Sequence, residues 1–195
     1  MMKIRVSIAR NLWLVAVALL MSMALSGCDD LRISNSLEGT WEGNTYMAAS
    51  YRGRWYNSTY SYVFFEQDPY RYTSGRGRWI DYYSNAPWDY IANHITWRVD
   101  NGVIRIYFIE DNYSITLTNY RLSNRHFYGT FLFDGNQRFN FDLVHTSSPN
   151  WNSYNYGYDY WQDGYYYAPA RSTHATATSQ ERPRRGMSAQ HGNTP

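Results

Sequence analysis

Short runs of aromatic and β-branched residues alternate with clusters of Gly, Asn, Asp and Ser from Leu37 to about Thr146. This pattern is typical of an all-β domain, and no helical period persists over a useful window. The runs predict eight strands, near Gly39–Met47, Tyr60–Glu66, Tyr70–Tyr83, His94–Val99, Val103–Ile109, Tyr113–Asn119, His126–Phe133 and Gln137–His145. A further strand around Ser50–Trp55 is a weaker prediction.

The strand register can be predicted because successive side chains of a strand point to opposite faces of the sheet. Asn101-Gly102 has the composition of a two-residue hairpin turn. That turn places every apolar residue of one strand opposite an apolar residue of the next, in the pairs Val99–Ile104, Trp97–Ile106 and Ile95–Phe108. The apolar pattern and the turn therefore predict the same hairpin.

Two further turns extend this apolar face. A two-residue turn at Asp111-Asn112 would set Phe108 opposite Ile115 and Ile106 opposite Leu117. A three-residue loop over 134–136 gives better matches than a two-residue turn, in the pairs Phe131–Phe139, Gly129–Phe141 and Phe127–Leu143. The strands thus form an up-and-down meander with one apolar face, which a barrel or a sandwich would bury.

The first 27 residues have the features of an export signal. Met1–Arg10 is cationic, and Leu12–Ala24 is an apolar run of 13 residues, whereas a transmembrane helix needs about 20. Leu25-Ser26-Gly27-Cys28 resembles the lipobox of bacterial lipoproteins, which implies cleavage before Cys28 and lipidation of its thiol. A transmembrane helix beside a chance cysteine is the alternative.

Lipidation would anchor the mature protein to a membrane, and the protein would not span that membrane. Residues 28–36 would then be a short polar tether between the lipid and the domain. Asp29 and Asp30 follow the lipidated position, and the meaning of acidic residues there differs between bacterial groups. We expect attachment to the outer membrane, on its periplasmic side or at the cell surface.

Two segments follow the predicted domain, which covers residues 37–146. Residues 147–168 are rich in Tyr and Asn, and we expect them to form an irregular arm packed on the barrel rather than an independent binding element. Residues 169–195 hold almost no large apolar side chain and contain the basic cluster Arg182-Pro183-Arg184-Arg185. This composition predicts a disordered tail.

The amino-acid composition excludes several kinds of catalysis and binding for the mature chain. After the signal, 15 arginines face 16 acids and no lysine is left, so a nucleic-acid-binding basic domain and Schiff-base catalysis are excluded. Cys28 is the single cysteine, and His94, His126 and His145 lack metal-ligand spacing. No nucleophile, base and orienting residue occur together, so the sequence predicts no enzyme, no catalytic residue, no metal site and no cofactor.

Three short motifs carry a resemblance to lipocalins. Gly39-Thr40-Trp41 is similar to the Gly-x-Trp that opens the first lipocalin strand, and Thr118-Asn119-Tyr120 resembles the family's Thr-Asp-Tyr with Asn in place of Asp. Arg138 lies on the last strand, where the family keeps an arginine that packs on the tryptophan. The resemblance, to lipocalin-like lipoproteins of Gram-negative bacteria, implies an eight-stranded barrel closed at one end by Gly39, Trp41 and Arg138 as structural residues.

The predicted function is binding without catalysis. Trp79 and Trp97 could stack against a small amphipathic or saccharide ligand, and Arg76 and Arg78 could orient an anionic group on it. The alternative is a structural or assembly subunit of an envelope complex, which would use the aromatic arm to contact a protein partner.

Overall fold

The structure is a computed structural model that describes residues 29–133, 137–156 and 183–186. Its strands are β1 (Gly39–Asn44), β2 (Ala48–Tyr51), β3 (Arg54–Asn57), β4 (Tyr60–Gln67), β5 (Ser74–Tyr82), β6 (Tyr90–Asp100), β7 (Val103–Phe108), β8 (Tyr113–Leu122), β9 (His126–Phe133), β10 (Gln137–Thr146) and β11 (Arg184–Gly186). Eight of them close an antiparallel barrel in the order β1-β10-β9-β8-β7-β6-β5-β4. The predicted all-β fold, an eight-stranded up-and-down antiparallel barrel, is confirmed.

Two of the three predicted registers are confirmed. Trp97 lies opposite Ile106 across the Asn101-Gly102 turn, and Phe131 lies opposite Phe139 between β9 and β10. The predicted register between β7 and β8 is wrong by two residues, because Phe108 pairs with Tyr113 rather than with Ile115. The connection is a four-residue loop over 109–112, and a shift of two residues keeps every side chain on its predicted face.

The prediction of one strand around Ser50–Trp55 is wrong. Arg52 and Gly53 adopt positive φ angles of 49° and 72° and form a two-residue turn between β2 and β3. β2 also pairs with β11, so these three strands form a separate small sheet. Ala49 of this sheet packs against Tyr83 and Trp88 of the loop after β5, which places the sheet over one end of the barrel. We call this end the mouth.

The opposite end, which we call the closed end, carries a helix that the sequence analysis missed. Residues 29–37 are helical, which corrects the prediction of a polar tether over 28–36. The Asp30 carboxylate accepts hydrogen bonds from the backbone N–H groups of Asn101 (2.9 Å) and Gly102 (2.7 Å). Leu37 is fully buried and its carbonyl accepts a 2.8 Å hydrogen bond from the Trp41 indole. These contacts fasten the segment that follows Cys28 to the barrel.

The closed half of the barrel is filled by side chains. Its largest fully buried residues include Trp41, Phe65 and Phe127, and their rings pack mainly edge to face, as in the 5.6 Å pair of Trp41 and Phe127. An eight-stranded barrel has room for side chains or for one small ligand. In the closed half of the barrel, bulky aromatic side chains fill this space.

Part of the predicted arm packs on the outside of the barrel. Trp151 begins a short 3-10 helix, Trp151–Ser153, and is buried against Ile80, Tyr62 and Phe64 of the outer face. Tyr154 shares a 2.6 Å hydroxyl–hydroxyl hydrogen bond with Tyr82. Residues 157–168 of the arm lie outside the described residues.

Candidate functional site

The barrel interior changes from apolar to polar toward the mouth. Near the mouth, four strands each carry an inward polar residue two positions from an inward apolar one. These polar residues are Ser61, Asp81, Asn93 and Tyr113. Because side chains two residues apart share a face, Asp81 points into the barrel beside Trp79. This parity can be read from the sequence, so the inward direction of Asp81 was predictable, although Asp81 was not among the predicted site residues.

Asp81 is a carboxylate at the mouth that is both buried and hydrogen-bonded to several side chains. It is fully buried, and its Oδ1 accepts hydrogen bonds from the Ser61 hydroxyl, from Trp79 Nε1 at 2.8 Å and from Thr45 Oγ1 at 3.3 Å. These neutral donors hold the carboxylate in place without cancelling its charge. A buried carboxylate of this kind requires a cation nearby.

The cation is Arg185, which comes from the segment predicted to be a disordered tail. Its Nε lies 2.9 Å from Asp81 Oδ2, and neither side chain is exposed. The contact is an ion pair rather than a well-directed hydrogen bond. The structure thus corrects the disorder prediction for residues 183–186, because the buried charge pair and the pairing of β11 with β2 order a segment whose one apolar side chain is Pro183.

Three other groups complete the surroundings of the Arg185 guanidinium. Its Nη2 donates a 3.1 Å hydrogen bond to the Ile91 carbonyl, and its Cζ lies 4.8 Å from the centroid of the Phe108 ring. Its Nη1 lies 3.7 Å from Asp111 Oδ2. The planar cation therefore meets carboxylates and a carbonyl along its edges and an aromatic ring on one face.

The electrostatics of the mouth favour positive charge. Burial raises the pKa of Asp111, Glu110 and Asp81 raise it further, and the neighbouring Arg185 lowers it only in part. Burial works to lower the pKa of the Arg185 guanidinium, but Asp81 and its other neighbours raise that pKa above its ordinary value. Arg185 is therefore charged, and it faces two carboxylates.

Several buried polar atoms of the mouth lack a hydrogen-bond partner among the described residues. Besides atoms of the Asp81, Asp111 and Arg185 cluster, they include the Tyr113 hydroxyl, the Tyr83 hydroxyl and Asn93 Oδ1. Burial raises the pKa of Tyr113 well above its usual value, so this hydroxyl is protonated at neutral pH. Buried polar atoms without partners are uncommon in native structures and indicate a role other than packing.

The four predicted ligand residues do not form one site. Trp79 and Trp97 are 3% exposed and point into the barrel, whereas Arg76 is exposed and Arg78 lies on the outer face with it. Alternation separates adjacent residues onto opposite faces, which corrects the prediction that these arginines orient a ligand stacked on the tryptophans. Trp97 Nε1 donates instead to the Arg76 carbonyl at 2.9 Å.

The predicted structural residues are placed as follows. Trp41 is fully buried at the closed end, and Gly39 has a φ of 115° and leaves room for His145, since a Cβ at Gly39 would lie 2.5 Å from its Nε2. Arg138 does not reach Trp41: it is exposed and lies opposite Leu132, near the other end of β10. The His145 ring packs edge to face on Trp41 at 5.1 Å instead.

Other predicted features give no second site. Cys28 lies outside the described residues. His94 pairs with Glu110 at 2.6 Å and His126 with Asp142, and the described part of the chain contains no group of three or more His, Cys, Asp or Glu residues placed to hold a metal. No helix among the described residues is long and apolar enough to cross a membrane.

Comparison with known proteins agrees with this architecture. The family model of the lipocalin-like domain matches residues 37–128, which extend from before β1 into β9. A comparison with curated proteins finds no match. The family match and the closed eight-stranded barrel together support a lipocalin-like assignment, which is a fold suited to binding small ligands.

Proposed function

We propose that this chain is a lipid-anchored lipoprotein of the outer membrane that binds a small amphipathic ligand at the mouth of its barrel and catalyses no reaction. The observation that carries the proposal is the polarity of the mouth above an apolar interior. Ligand sites combine apolar walls with a few buried polar groups that fix orientation. Asp81, Asn93 and Tyr113 supply such groups over the ring of Phe108.

The position of the helix supports the anchoring part of the proposal. Asp29 is already helical and Asp30 is bonded to the Asn101-Gly102 turn, so a lipid on Cys28 would lie beside the closed end. A groove of about 850 Å³ at this end is lined in part by Arg32 and Arg125. Such cations suit an anionic membrane surface. The mouth would then face away from the membrane.

The alternative is a structural subunit that contacts an envelope protein through the aromatic arm. The described part of the arm does not favour it, because Trp151 is 8% exposed and packs on the barrel of its own chain. Trp55, which is 49% exposed on β3, is the better candidate for a protein contact. This surface lies beside the mouth, so a partner and a ligand could compete there.

A ligand screen tests the proposal with the lipidated full-length protein in detergent. Single-chain amphiphiles with cationic, anionic, zwitterionic and saccharide head groups are compared by their effect on the melting temperature. We expect at least one class to raise the melting temperature of the wild type and to have a smaller effect on Asn93→Leu, which removes an inward polar group. The surface variant Arg105→Ala is the matched control and should respond like the wild type.

Equal responses of Asn93→Leu and the wild type would place binding elsewhere than the mouth. No response to any class, together with capture of a defined envelope protein that Trp55→Ala abolishes, would replace the binding function with the structural one.

A further inference from the structure

We infer that the mouth is a guanidinium site, in which an external guanidinium-bearing ligand replaces the chain's own Arg185. The inference rests on the proposed function, since it names the ligand class of the same mouth. It goes further because it assigns Arg185 as an internal competitor. Three features of the mouth support it: its charge, its shape and the way in which the chain holds Arg185 there.

Charge is the first step. Asp81 and Asp111 both direct a carboxylate at Arg185, so two acids meet one guanidinium. An ionised carboxylate in the protein interior is destabilising by several kcal/mol unless a cation compensates it. When Arg185 leaves, another cation must therefore enter, or the carboxylates must take up protons.

Shape is the second step. The Arg185 guanidinium presents Nε to Asp81, Nη2 to the Ile91 carbonyl and its flat face to Phe108. A guanidinium is planar and has donors in fixed directions, whereas an ammonium is a compact point charge. Partners at two edges and one face match the planar cation. The site should therefore discriminate against a primary amine of equal charge.

The third feature is the short strand that holds Arg185 at the mouth. β11 is three residues long and pairs along one side with β2, and residues 157–182 join it to the described part of the arm. Among the described residues, β11 is held by the contacts of one side chain, Arg185, with the barrel and by its backbone pairing with β2. A tethered partner competes at an effective concentration on the order of millimolar. An external ligand with a stronger hold can displace it.

The buried polar atoms without hydrogen bonds indicate which further group the ligand should carry. Tyr113 Oη and Asn93 Oδ1 are buried at the mouth, yet Arg185 leaves both without a hydrogen bond. A ligand that carries a hydrogen-bond donor beside its guanidinium could satisfy them. An arginine-containing peptide, with its backbone N–H groups, has this chemistry.

Chemical rescue of the full-length protein tests the inference. Arg185→Ala removes the internal competitor, and we expect it to lower the melting temperature. Millimolar ethylguanidinium should recover at least half of the loss, and ethylammonium at equal concentration should recover less than a quarter. The matched control is Arg105→Ala, which removes an equal charge from an exposed side chain in a 3.4 Å contact with Asp100, and neither compound should raise its melting temperature.

A peptide competition covers the case in which Arg185→Ala does not fold. The probe is a fluorescent peptide of residues 182–187 that is added to wild-type protein, and its partner peptide carries citrulline in place of Arg185. We expect the arginine peptide to bind and the citrulline peptide to bind at least tenfold more weakly, because citrulline is neutral but has a similar shape.

The outcomes separate this inference from the proposed function. Equal effects of ethylguanidinium and ethylammonium on folded Arg185→Ala, or equal binding of the two peptides, would overturn the guanidinium site. Amphiphiles that still raise the melting temperature would then leave the proposed function intact. A guanidinium response without any amphiphile response would support the site and remove the amphipathic ligand.

Discussion

Arg185 and Asp81 form a fully buried ion pair, with 2.9 Å between Nε and Oδ2, across 103 intervening positions of the chain. The pair links the small sheet at the mouth to the inner face of β5. It also explains how a three-residue strand with the sequence Arg-Arg-Gly is held in place, since β11 contributes no apolar side chain to the core. The ion pair is therefore both a structural contact and the centre of the candidate site.

Removal of one partner should be more harmful than removal of both. Asp81→Asn leaves the Arg185 cation buried with weaker compensation, and we expect a loss of about 3–5 kcal/mol in the free energy of unfolding. The double variant Asp81→Asn with Arg185→Gln removes both charges of the pair and leaves Asp111 as the one carboxylate that faced Arg185, so it should lose less than Asp81→Asn alone. Urea unfolding of the four proteins of this cycle measures the coupling. Additive losses would contradict a coupled buried pair.

Trp41 should be among the most sensitive positions of the closed end. It is fully buried, and it packs on Phe127 and His145 while its indole bonds to the Leu37 carbonyl. Trp41→Ala should cost about 3–5 kcal/mol of unfolding free energy. Trp55→Ala is the control, because Trp55 is 49% exposed. Similar urea midpoints for the two variants would show that Trp41 does not support the barrel.

Asp30 has a structural role in addition to its place after the predicted lipidation site. Asp30→Ala should leave the backbone N–H groups of Asn101 and Gly102 without their acceptor, at a cost of about 1–3 kcal/mol. Asp29→Ala is the matched control, since Asp29 is exposed and forms a 3.5 Å surface ion pair with Arg32. Equal melting temperatures for the two variants would contradict a specific role of Asp30.

Alternation explains why the barrel could be predicted from the sequence. The pairs Trp97–Ile106 and Phe131–Phe139 follow from parity and turn chemistry alone. The helix over 29–37 escaped prediction because two of its buried positions, Asp30 and Ser34, are polar, so the spacing carries no hydrophobic period.

The candidate site was harder to predict than the fold. Asp81 shares its parity with Trp79, so its inward direction could have been inferred. Arg185 carries no such signal, because three strand residues within a Ser-, Thr- and Pro-rich tail show no period, and its partner lies on a strand far away in sequence. Arg138 shows the converse case, in which a motif match predicted a contact with Trp41 that His145 makes instead.

Lipidation remains a prediction from the sequence and can be measured directly. We expect intact-mass analysis of membrane-extracted protein to show a chain that begins at Cys28 and carries acyl groups, because the apolar run and the lipobox-like Leu25–Cys28 agree. Cys28→Ser should prevent acylation and cleavage at this site, so this variant should keep residues 1–27. A chain that keeps Met1 while it remains in the membrane would favour the transmembrane alternative.

The pH dependence of stability should report the shortage of positive charge at the mouth. Burial, helped by Glu110 and Asp81, raises the pKa of Asp111 above its usual value of 3.8. The folded protein therefore binds a proton at Asp111 more tightly than the unfolded chain does, so this group favours folding below pH 3.8 and loses that contribution as the pH rises through its raised pKa.

Asp111→Asn, which cannot ionise, should gain stability relative to the wild type over the same range, as measured by urea unfolding between pH 3 and pH 8. The gain should be larger in an Arg185→Ala background, because Arg185 lowers the pKa of Asp111. A difference that does not change with pH, or a variant that is less stable than the wild type at pH 7, would show that the mouth does not lack positive charge.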